Sequence, residues 1–509
     1  GVKRVLVANR GEIAVRVMAT LRECGLESVA VHSDIDAGAM HVLAADTAVA
    51  IGAAPPGESY LLTERILEAA RATGADAVHP GYGFLAENAA FARAVEEAGL
   101  TFLGPRPETI DLLGDKRRAR EVARKAGVPV VPGWEGDASD RDGAAAAADK
   151  MGWPVIVKAA LGGGGKGMSR IRERSALNAA LEGAERLAQA SFGKADVYLE
   201  KAIDEPRHIE VQILGDGEGE VVHLFERECS LQRRHQKIIE ESPSPVLKEE
   251  TRARLTEAAV RIGKEVGYRS AGTCEFLLDP DGEFYFLEVN ARIQVEHPVT
   301  ELLTGRDLVA AQVRVARGEG IGFKQEDITA RGSAVEARLY AEDPDTGFLP
   351  QAGHLLRVQF PEDPWLRVDA GVRTGDDVSP HYDPMIAKVI AFGEDRATAW
   401  RRLHSALQRT VIHGPVNNLA FLRELTARPD VVAGDFHTES IETSLLPEFR
   451  SAPDEAAENL MLGAAAVADA FGWAADGTDV PAGGGEAARL PEPFDTLTGW
   501  RHAGLGEGR

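Results

Sequence analysis

The chain has 509 residues, enough for roughly two to four domains, and its 44% hydrophobic and 27% charged residues are typical of an ordinary globular protein. No apolar run approaches the roughly 20 residues that a transmembrane helix needs. The net charge of −23 disfavours nucleic acid and anionic membrane as partners, because both bind basic surfaces, but it allows an anionic nucleotide held by local positive charge.

The N-terminal residues alternate strand-like and helix-like segments. An apolar run over 5–8 meets a loop over 9–12, and a helix with apolar residues at helical spacing follows until Gly25. A second strand is predicted over 28–31, and similar alternation continues. The pattern predicts a doubly wound α/β domain over 1–114. No GxGxxG follows the first strand, so a dinucleotide site is not predicted there.

Composition marks the remaining boundaries. A charged helix ends near a Pro- and Gly-containing stretch, so 115–133 is predicted to be a linker helix region. A small unit over 134–204 surrounds a glycine-rich loop, and strands and helices alternate again over 205–446. From 447 to 509 the chain becomes rich in Ala, Gly and Pro, which is typical of a linker.

The glycine-rich loop is the first motif with a chemical implication. A strand-like run that contains Lys158 feeds the sequence GGGGKGM over 162–168. Successive glycine amides can point at phosphate oxygens, and Lys158 and Lys166 add positive charge on either side. The loop is not a Walker A motif, because GxxxxGK[ST] does not occur here. It predicts phosphate binding, with a flexible linker as the alternative.

Two carboxylates are predicted to face each other on a β-hairpin. Asp281-Gly282 is a strong signal for a two-residue turn, which places Glu275 directly opposite Glu288. Like charges there cost roughly 0.2–1 kcal/mol unless something compensates them. Mg²⁺ or Mn²⁺ between them would remove the repulsion, and Asn290 faces the same way and can add an oxygen ligand. A solvated hairpin face is the alternative.

Polar residues continue after the hairpin. Over 288–296 every second residue is polar, and the residues between them are apolar. If this stretch is extended, the polar groups line one face and the apolar residues pack behind it. An ordinary exposed strand would give the same alternation, so both interpretations stay open.

Four segments resemble those of biotin carboxylases. They are HPGYGFLAEN (79–88), GGGGKGM (162–168), ERECSLQRRHQK (226–237) and EVNARIQVEHPVTE (288–301). The resemblance runs in order over about residues 2–446. It implies an α/β, ATP-grasp fold with an N-terminal doubly wound domain, a small mobile lid over 134–204 and a C-terminal α+β domain over 205–446.

The resemblance also implies roles for individual residues. The residues expected around ATP are Lys116, Lys158, Gly164, Gly165, Glu200, Ile203, His208, Gln232, His235, Glu275 and Glu288. The expected ligands of Mg²⁺ or Mn²⁺ are Glu275, Glu288 and Asn290. Bicarbonate is expected on Lys237, Arg292, Gln294 and the backbone of Val295. The expected catalytic residues are Lys237, Arg292, the general base Glu296, and Arg338, which would bind biotin and stabilise its enolate.

Some of these residues have simpler interpretations. His208 and His235 can be hydrogen-bonded polar residues without a ligand. Lys116 lies in a basic run that is typical of a solvated helix face. Arg338 is two residues from Glu336 in an alternating stretch, so an ion pair between them is an alternative.

The expected chemistry fits these residue types. Bicarbonate becomes a nucleophile when a positioned carboxylate removes its proton. Lys and Arg hold the anion, and metal ions on the phosphates align an in-line transfer that gives carboxyphosphate. CO₂ released beside biotin is then attacked by a ureido nitrogen. Because carboxyphosphate and the released CO₂ are both easily lost to water, we expect a lid that closes over the site.

The sequence departs from the family in two ways. Ser169 stands where relatives commonly carry a basic residue, but it is none of the expected catalytic groups. The chain lacks an AMKM-type segment, so biotin is expected on a carrier domain absent from this chain or as free biotin. Residues 493–504 look like the entry to the subunit-bridging domain of methylcrotonyl- and propionyl-type α chains. We therefore expect a homo- or hetero-oligomer with a carboxyltransferase β subunit, and methylcrotonyl-CoA as the favoured acceptor.

Two other functions share part of this pattern. An ATP-grasp carboxylate–amine ligase would share the fold, the glycine loop and the metal carboxylates, but it would not need Arg292, Glu296 and Arg338 together. A non-catalytic assembly subunit would need neither these residues nor Lys158 and Glu275.

The cysteines indicate the compartment. Cys24, Cys229 and Cys274 are widely spaced, which suits a reducing environment and indicates neither disulfides nor a zinc site. We expect a cytoplasmic protein, and Gly1 in place of Met leaves room for a removed organelle-targeting segment.

Overall fold

The computed structural model describes residues 1–136, 139–159, 168–192, 197–449, 460–464 and 466–467. Tertiary contacts divide the chain into one unit over Gly1–Phe449 and a second over Arg450–Arg509. In the described part of the chain, no helix combines the length and apolarity that a membrane crossing requires. Residues 493–504, which were singled out as a subunit-bridging entry, lie outside the described residues, as does nearly all of the predicted linker.

A parallel sheet forms the N-terminal part of the first unit, with the strand order β3-β2-β1-β4-β5. Its strands are β1 (Arg4–Val7), β2 (Glu27–Ser33), β3 (Thr47–Gly52), β4 (Ala77–His79) and β5 (Thr101–Phe102). The helices here are α1 (Gly11–Glu23), α2 (Met40–Ala44), α3 (Thr63–Thr73), α4 (Ala89–Glu97), α5 (Pro107–Gly114) and α6 (Lys116–Lys125).

Alternate residues of β1 pack on opposite sides of this sheet. Val5 and Val7 share one core cluster with the apolar face of α1. Leu6 lies in another cluster with Ile66 of α3 and Phe91 of α4. Helices therefore cover both faces of the parallel sheet, and the predicted doubly wound α/β arrangement is confirmed.

A four-stranded antiparallel sheet follows, in the order β6-β9-β7-β8. Its elements are β6 (Gly133–Gly136), α7 (Arg141–Met151), β7 (Val155–Ala159), β8 (Met168–Ile171), α8 (Leu177–Phe192) and β9 (Val197–Lys201). Ala144 and Ala148 of the helix and Val155 and Leu199 of the sheet are fully buried in its core. The glycine-rich loop between β7 and β8 lies outside the described residues, and this includes Gly164, Gly165 and Lys166.

The largest sheet has eight strands in the order β14-β13-β10-β11-β12-β15-β22-β20. The strands of this part are β10 (Arg207–Asp216), β11 (Val221–Arg233), β12 (Gln236–Ser242), β13 (Arg269–Leu278), β14 (Phe284–Asn290), β15 (Ser333–Tyr340), β16 (Glu342–Asp343), β17 (Leu349–Pro350), β18 (Gly353–His354), β19 (Arg357–Gln359), β20 (Leu366–Ala370), β21 (Asp377–Val378), β22 (Met385–Gly393) and β23 (Val411–His413). Its helices are α9 (Glu249–Glu265), α10 (His297–Thr304), α11 (Leu308–Ala316), α12 (Arg396–Arg409), α13 (Leu419–Ala427) and α14 (Pro429–Ala433).

The hairpin β13–β14 has the predicted pairing at Glu275 and Glu288, but the predicted two-residue turn is wrong. The Asp279 amide donates to the Glu283 carbonyl at 2.8 Å, and the Gly282 amide donates to the Asp279 carbonyl at 3.1 Å. The loop therefore has three residues and ends at Gly282, whose φ of 87° suits glycine. An irregularity in register beside Glu275 then restores the pairing with Glu288.

The extended strand proposed over 288–296 is shorter than the alternation suggests. β14 ends at Asn290, and residues 291–296 form a loop that leads into α10 at His297. Ala291, Ile293, Gln294 and Glu296 are all buried, so apolar and polar side chains are enclosed together. We call these residues the 291–296 loop.

Candidate active site

The polar face of the largest sheet carries the site. On β10, Ile209 and Val211 pack toward the core beneath α9, so the alternate residues His208 and Glu210 face the other way. Glu210 pairs with Glu275 of β13 across the sheet, and Glu275 in turn pairs with Glu288 of β14. Three neighbouring strands therefore bring three carboxyl groups side by side.

Lys237 is the cation at the centre of this face. Its Nζ lies 2.6 Å from Glu210 Oε2, 2.9 Å from Glu275 Oε1 and 2.7 Å from Glu296 Oε1. It also donates to Gln294 Oε1 at 3.3 Å. One ammonium group thus joins carboxylates from two strands and from the 291–296 loop.

Glu296 is held from its second oxygen by Arg338 of β15. Arg338 Nη2 lies 2.9 Å from Glu296 Oε2, and its Nε lies 2.5 Å from Glu240 Oε1. The alternative ion pair of Arg338 with Glu336 is not formed in the described structure, where both carboxyl oxygens of Glu336 are buried without a hydrogen-bond partner. Arg338 therefore faces Glu296 and Glu240.

The charges in this cluster shift one another's protonation. Burial alone would raise the pKa of Glu296, but Lys237, Arg338 and Arg227 outweigh it, so the pKa lies well below its usual range. Glu275 behaves in the same way beside Lys237 and His208. Burial would lower the pKa of Lys237, but the surrounding carboxylates hold it well above the usual value. These three groups are therefore ionised near neutral pH.

Glu288 differs from Glu275, which it faces. Burial and the negative charge of Glu275 raise the pKa of Glu288, with Lys116 opposing them at 3.7 Å. Asn290 Nδ2 donates to Glu275 Oε1 at 2.8 Å, so the three expected metal ligands share one face. The carboxylate and amide oxygens of these three residues are hard donors of the kind that Mg²⁺ or Mn²⁺ prefers. Lys116 points at this carboxylate although it is at the start of an exposed helix face.

A second group of expected residues lies on the four-stranded sheet and nearby turns. Lys158 of β7 forms an ion pair with Glu200 of β9, and Arg120 Nη1 lies 3.2 Å from the other oxygen of Glu200. Ile203 is half-buried just beyond β9. Glu200 is thus ion-paired with two cations, Lys158 and Arg120, next to the segment that carries the glycine-rich loop.

Gln232 and His235 lie at the tight turn between β11 and β12. Gln232 is buried and donates to the Cys229 carbonyl at 3.4 Å, whereas His235 is exposed with a φ of 65°. His208 is buried, with its Nε2 3.3 Å from Glu275 Oε2. Burial would lower the pKa of His208, but Glu275 raises it above its usual value.

The 291–296 loop supplies the remaining expected groups. Arg292 Nε donates to Glu87 Oε2 at 2.9 Å, and Glu87 Oε1 accepts from the Ala291 amide at 3.0 Å. Gln294 Nε2 donates to Glu275 Oε1 at 3.2 Å, so its side chain points into the cluster around Lys237.

Several residues of the site were missed in the sequence. Glu210 touches Lys237, Glu240 touches Arg338, and Glu87 touches Arg292. Glu210 had a usable signal, because it alternates with His208 and Gln212 between the apolar residues Ile209, Val211 and Ile213. Glu87 lies within the 79–88 segment that carries the family resemblance, but nothing in that segment indicates its partner Arg292, and Glu240 had no local signal, because both partners are distant in sequence.

Family models match most of the first unit. The biotin carboxylase N-terminal domain model matches residues 1–110, and the biotin carboxylase C-terminal domain model matches 336–443. Between them, the model of the carbamoyl-phosphate synthase L chain ATP-binding domain matches 115–323.

Curated relatives agree with these models. The chain is 47% identical over 466 residues to the alpha subunit of the mitochondrial methylcrotonoyl-CoA carboxylase of Rattus norvegicus, and the match covers 91% of this chain and 65% of that protein. It is 46% identical over 439 residues to a pyruvate carboxylase subunit of Methanothermobacter thermautotrophicus, and this match covers 86% of this chain and 89% of that protein. The chain thus spans slightly less than two thirds of the rat relative's length.

A solved structure has the same fold. It is the biotin carboxylase domain dimer of Hydrogenobacter thermophilus 2-oxoglutarate carboxylase in complex with MgADP, ADP and bicarbonate. The sequences are 44% identical, the TM-score is 0.83, and the match covers 88% of this chain and 99% of that one.

Proposed function

Because the chain belongs to the biotin carboxylase family of ATP-grasp enzymes, we propose that it uses ATP and bicarbonate to carboxylate biotin, the first half-reaction of an acyl-CoA carboxylase. The observation that carries the proposal is the position of Lys237 between Glu275, an expected metal ligand, and Glu296, the expected base. On the far side of Glu296 lies Arg338, the expected biotin residue. This order of groups suits a reaction that passes from phosphate to bicarbonate to biotin.

In the proposed first step, bicarbonate binds against Lys237, Arg292, Gln294 and the Val295 backbone. Glu296 accepts the bicarbonate proton while a bicarbonate oxygen attacks the γ-phosphorus of ATP, and ADP leaves. The pKa of Glu296 lies well below its usual range, so the carboxylate is ionised before bicarbonate binds. The product is carboxyphosphate.

In the second step, carboxyphosphate breaks down to CO₂ and phosphate, the phosphate accepts the proton of the ureido N–H of biotin, and the ureido nitrogen then attacks CO₂. Negative charge develops on the ureido oxygen, and the Arg338 guanidinium is the cation proposed to stabilise it. Glu240 and Glu296 fix this guanidinium from two sides, at 2.5 Å and 2.9 Å. Its direction is therefore set before biotin arrives.

We propose Glu275, Glu288 and Asn290 as the ligands of Mg²⁺ or Mn²⁺. The pairing of Glu288 with Glu275 across the hairpin and the hydrogen bond from Asn290 to Glu275 support this assignment, because they place the three side chains on one face. A bound metal ion would supply charge neutralisation on the β- and γ-phosphates. Within the chain, Lys116 and His208 lie against the same carboxylates and oppose their repulsion.

The nucleotide pocket and domain boundaries are further parts of the proposal. Lys116, Lys158, Glu200, Ile203, His208, Gln232 and His235 are proposed to surround ATP, together with Gly164 and Gly165 of the glycine-rich loop. The domains are proposed as 1–114, 115–133, 134–204, 205–446 and 447–509, with 134–204 acting as the lid that excludes water.

We also propose the partners and the compartment. Biotin would arrive on a biotinylated carrier domain, and carboxyl transfer would need a carboxyltransferase β subunit in a shared oligomer. Methylcrotonyl-CoA is the proposed acceptor, which the match over 466 residues to the rat methylcrotonoyl-CoA relative supports. The three free cysteines support a reducing compartment, for which we propose the cytoplasm.

The test is ADP release from MgATP and bicarbonate, with and without free biotin. Biotin should stimulate release strongly, and omission of bicarbonate should abolish the stimulated rate. Nucleotide binding without any stimulation by free biotin or by a biotinylated carrier domain would refute the proposal and favour an ATP-grasp ligase with another acceptor.

A further inference from the structure

Lys388 of β22 contacts the backbone of the 291–296 loop. Its side chain is fully buried, and its Nζ donates to the Val295 carbonyl at 2.8 Å. Lys388 and Val295 are 93 residues apart in sequence. Lys388 was not among the expected site residues, yet it holds the backbone of a residue expected to bind bicarbonate.

The charge of Lys388 is balanced by residues outside the loop. Glu12 Oε1 lies 3.2 Å and Asp369 Oδ2 lies 3.8 Å from Nζ. Glu12 also accepts a hydrogen bond from the Tyr82 hydroxyl. Burial would lower the pKa of Lys388, but these carboxylates and Glu336 raise it, so the ammonium keeps its protons for the Val295 carbonyl.

The preceding peptide of the loop is fixed in the same way. His297 Nδ1 lies 2.6 Å from the Gln294 carbonyl oxygen, so Nδ1 carries the proton of the neutral ring and donates it. Burial keeps the pKa of His297 well below its usual value. Two consecutive carbonyls, those of Gln294 and Val295, are thus hydrogen-bonded to buried side chains.

The hydrogen bonds to these two carbonyls also fix the directions of the amides in the same peptides. A trans peptide is planar, and its N–H points away from its C=O. The Gln294 carbonyl shares a peptide with the Val295 amide, and the Val295 carbonyl shares the next with the Glu296 amide. Holding both carbonyls therefore directs the Val295 and Glu296 amides away from His297 and Lys388.

We propose that Lys388 is a positioning residue for bicarbonate, which it serves by anchoring the Val295 carbonyl and thereby fixing the Val295 amide and the Glu296 carboxylate. The inference rests on the proposed function and adds a residue to it. Lys388 touches neither substrate nor reacting atoms in this role. Its loss should therefore weaken the use of bicarbonate more than the use of ATP.

The alternative is that Lys388 only stabilises the fold through its buried ion pair with Glu12. Variants of the pair separate the two roles. Glu12→Gln keeps Lys388 and its bond to Val295, whereas Lys388→Met removes the bond and leaves Glu12 buried without its cation. The double variant Glu12→Gln/Lys388→Met removes the hydrogen bond to the Val295 carbonyl and leaves no buried carboxylate at position 12.

The experiment measures biotin-dependent ADP release while bicarbonate and ATP are varied in turn, with melting temperature recorded for each variant. Arg252→Met is the matched control, because Arg252 pairs with the fully buried Glu226 at 2.9 Å and neither residue belongs to the candidate site. Wild-type protein is measured first, because a lack of biotin- and bicarbonate-dependent turnover there would refute the proposed function itself.

For Lys388→Met and for the double variant, we expect the KM for bicarbonate to rise at least about tenfold while the KM for ATP changes less than about twofold. Glu12→Gln and Arg252→Met should keep the bicarbonate KM within about twofold of wild type. A normal bicarbonate KM in the double variant, or equal increases in both KM values, would overturn the positioning role. If Lys388→Met does not fold, the double variant decides the question.

Discussion

Lys237 Nζ lies 2.7 Å from Glu296 Oε1, so the residue proposed to hold bicarbonate is ion-paired with the residue proposed to deprotonate it. The pair explains how a fully enclosed carboxylate stays ionised, because its lysine and Arg338 outweigh the cost of burial. Each partner of this pair is also proposed to act on bicarbonate when the anion binds. The lysine then shares its charge between the carboxylates and the incoming anion.

Lys237→Met tests the anion-binding half of this pair. We expect the KM for bicarbonate to rise at least about tenfold, because the cation that faces the anion is lost. Stability should also fall by about 3–5 kcal/mol, because Glu210, Glu275 and Glu296 lose their shared counter-ion. Steady-state kinetics and urea unfolding measure the two effects. Lys264→Met, at an exposed position of α9, is the control, and an unchanged bicarbonate requirement in Lys237→Met would refute the clamp.

Glu296→Gln tests the base. The amide keeps the size of the side chain but cannot accept the bicarbonate proton, so kcat should fall at least about 100-fold. Nucleotide binding, measured by calorimetry, should stay within about twofold of wild type. Glu296 contacts Lys237 and Arg338, and neither of these is among the residues expected to surround ATP. Glu265→Gln on the exposed side of α9 should behave as wild type. Normal turnover would remove Glu296 from its role.

Glu288→Ala tests the metal site. In the wild type, MgADP should raise the melting temperature more than ADP does, because ligand that binds only the native state stabilises it. The variant should lose this Mg²⁺-dependent increment, since one of three oxygen ligands is gone. Without nucleotide it should be no less stable than wild type, because a like charge opposite Glu275 has been removed. An intact increment, equal to that of the exposed hairpin control Glu283→Ala, would contradict the assignment.

His79 predicts part of the pH dependence of stability. The ring is fully buried, its Nδ1 accepts from the Gly81 amide at 3.0 Å, and burial lowers its pKa to about 4. The unfolded chain takes up this proton at higher pH, so the contribution is complete above the usual pKa and declines as the pH falls toward 4. We expect a loss of about 2 kcal/mol from this group between about pH 7 and pH 5.

Urea unfolding at the two pH values measures this loss. His79→Asn should show a smaller difference between them than wild type, because the titrating group is gone. His381→Asn, at an exposed position, should leave the difference unchanged. Equal pH dependence in wild type and His79→Asn would show that His79 does not contribute.

Local patterns in the sequence determined the elements and part of the site. Apolar residues at helical spacing predicted α1, because one face of a helix must be buried against a sheet. The opposition of Glu275 and Glu288 was predicted from a two-residue turn at Asp281-Gly282, but the loop has three residues, and the pairing is found because an irregularity beside Glu275 restores the register. Segments such as 288–301 were sufficient to identify the family resemblance.

The tertiary structure alone decided which charges meet. Arg338 was two residues from Glu336 in sequence, but the sheet order places β12 beside β15, and the 291–296 loop brings Glu296 to the same guanidinium. Arg338 accordingly contacts Glu240 and Glu296, and not Glu336. The pairing of Lys388 with the Val295 carbonyl had no local signal either, because the order of strands in the sheet, and not distance in sequence, brings these groups together. Burial then makes it costly to leave either group without a partner.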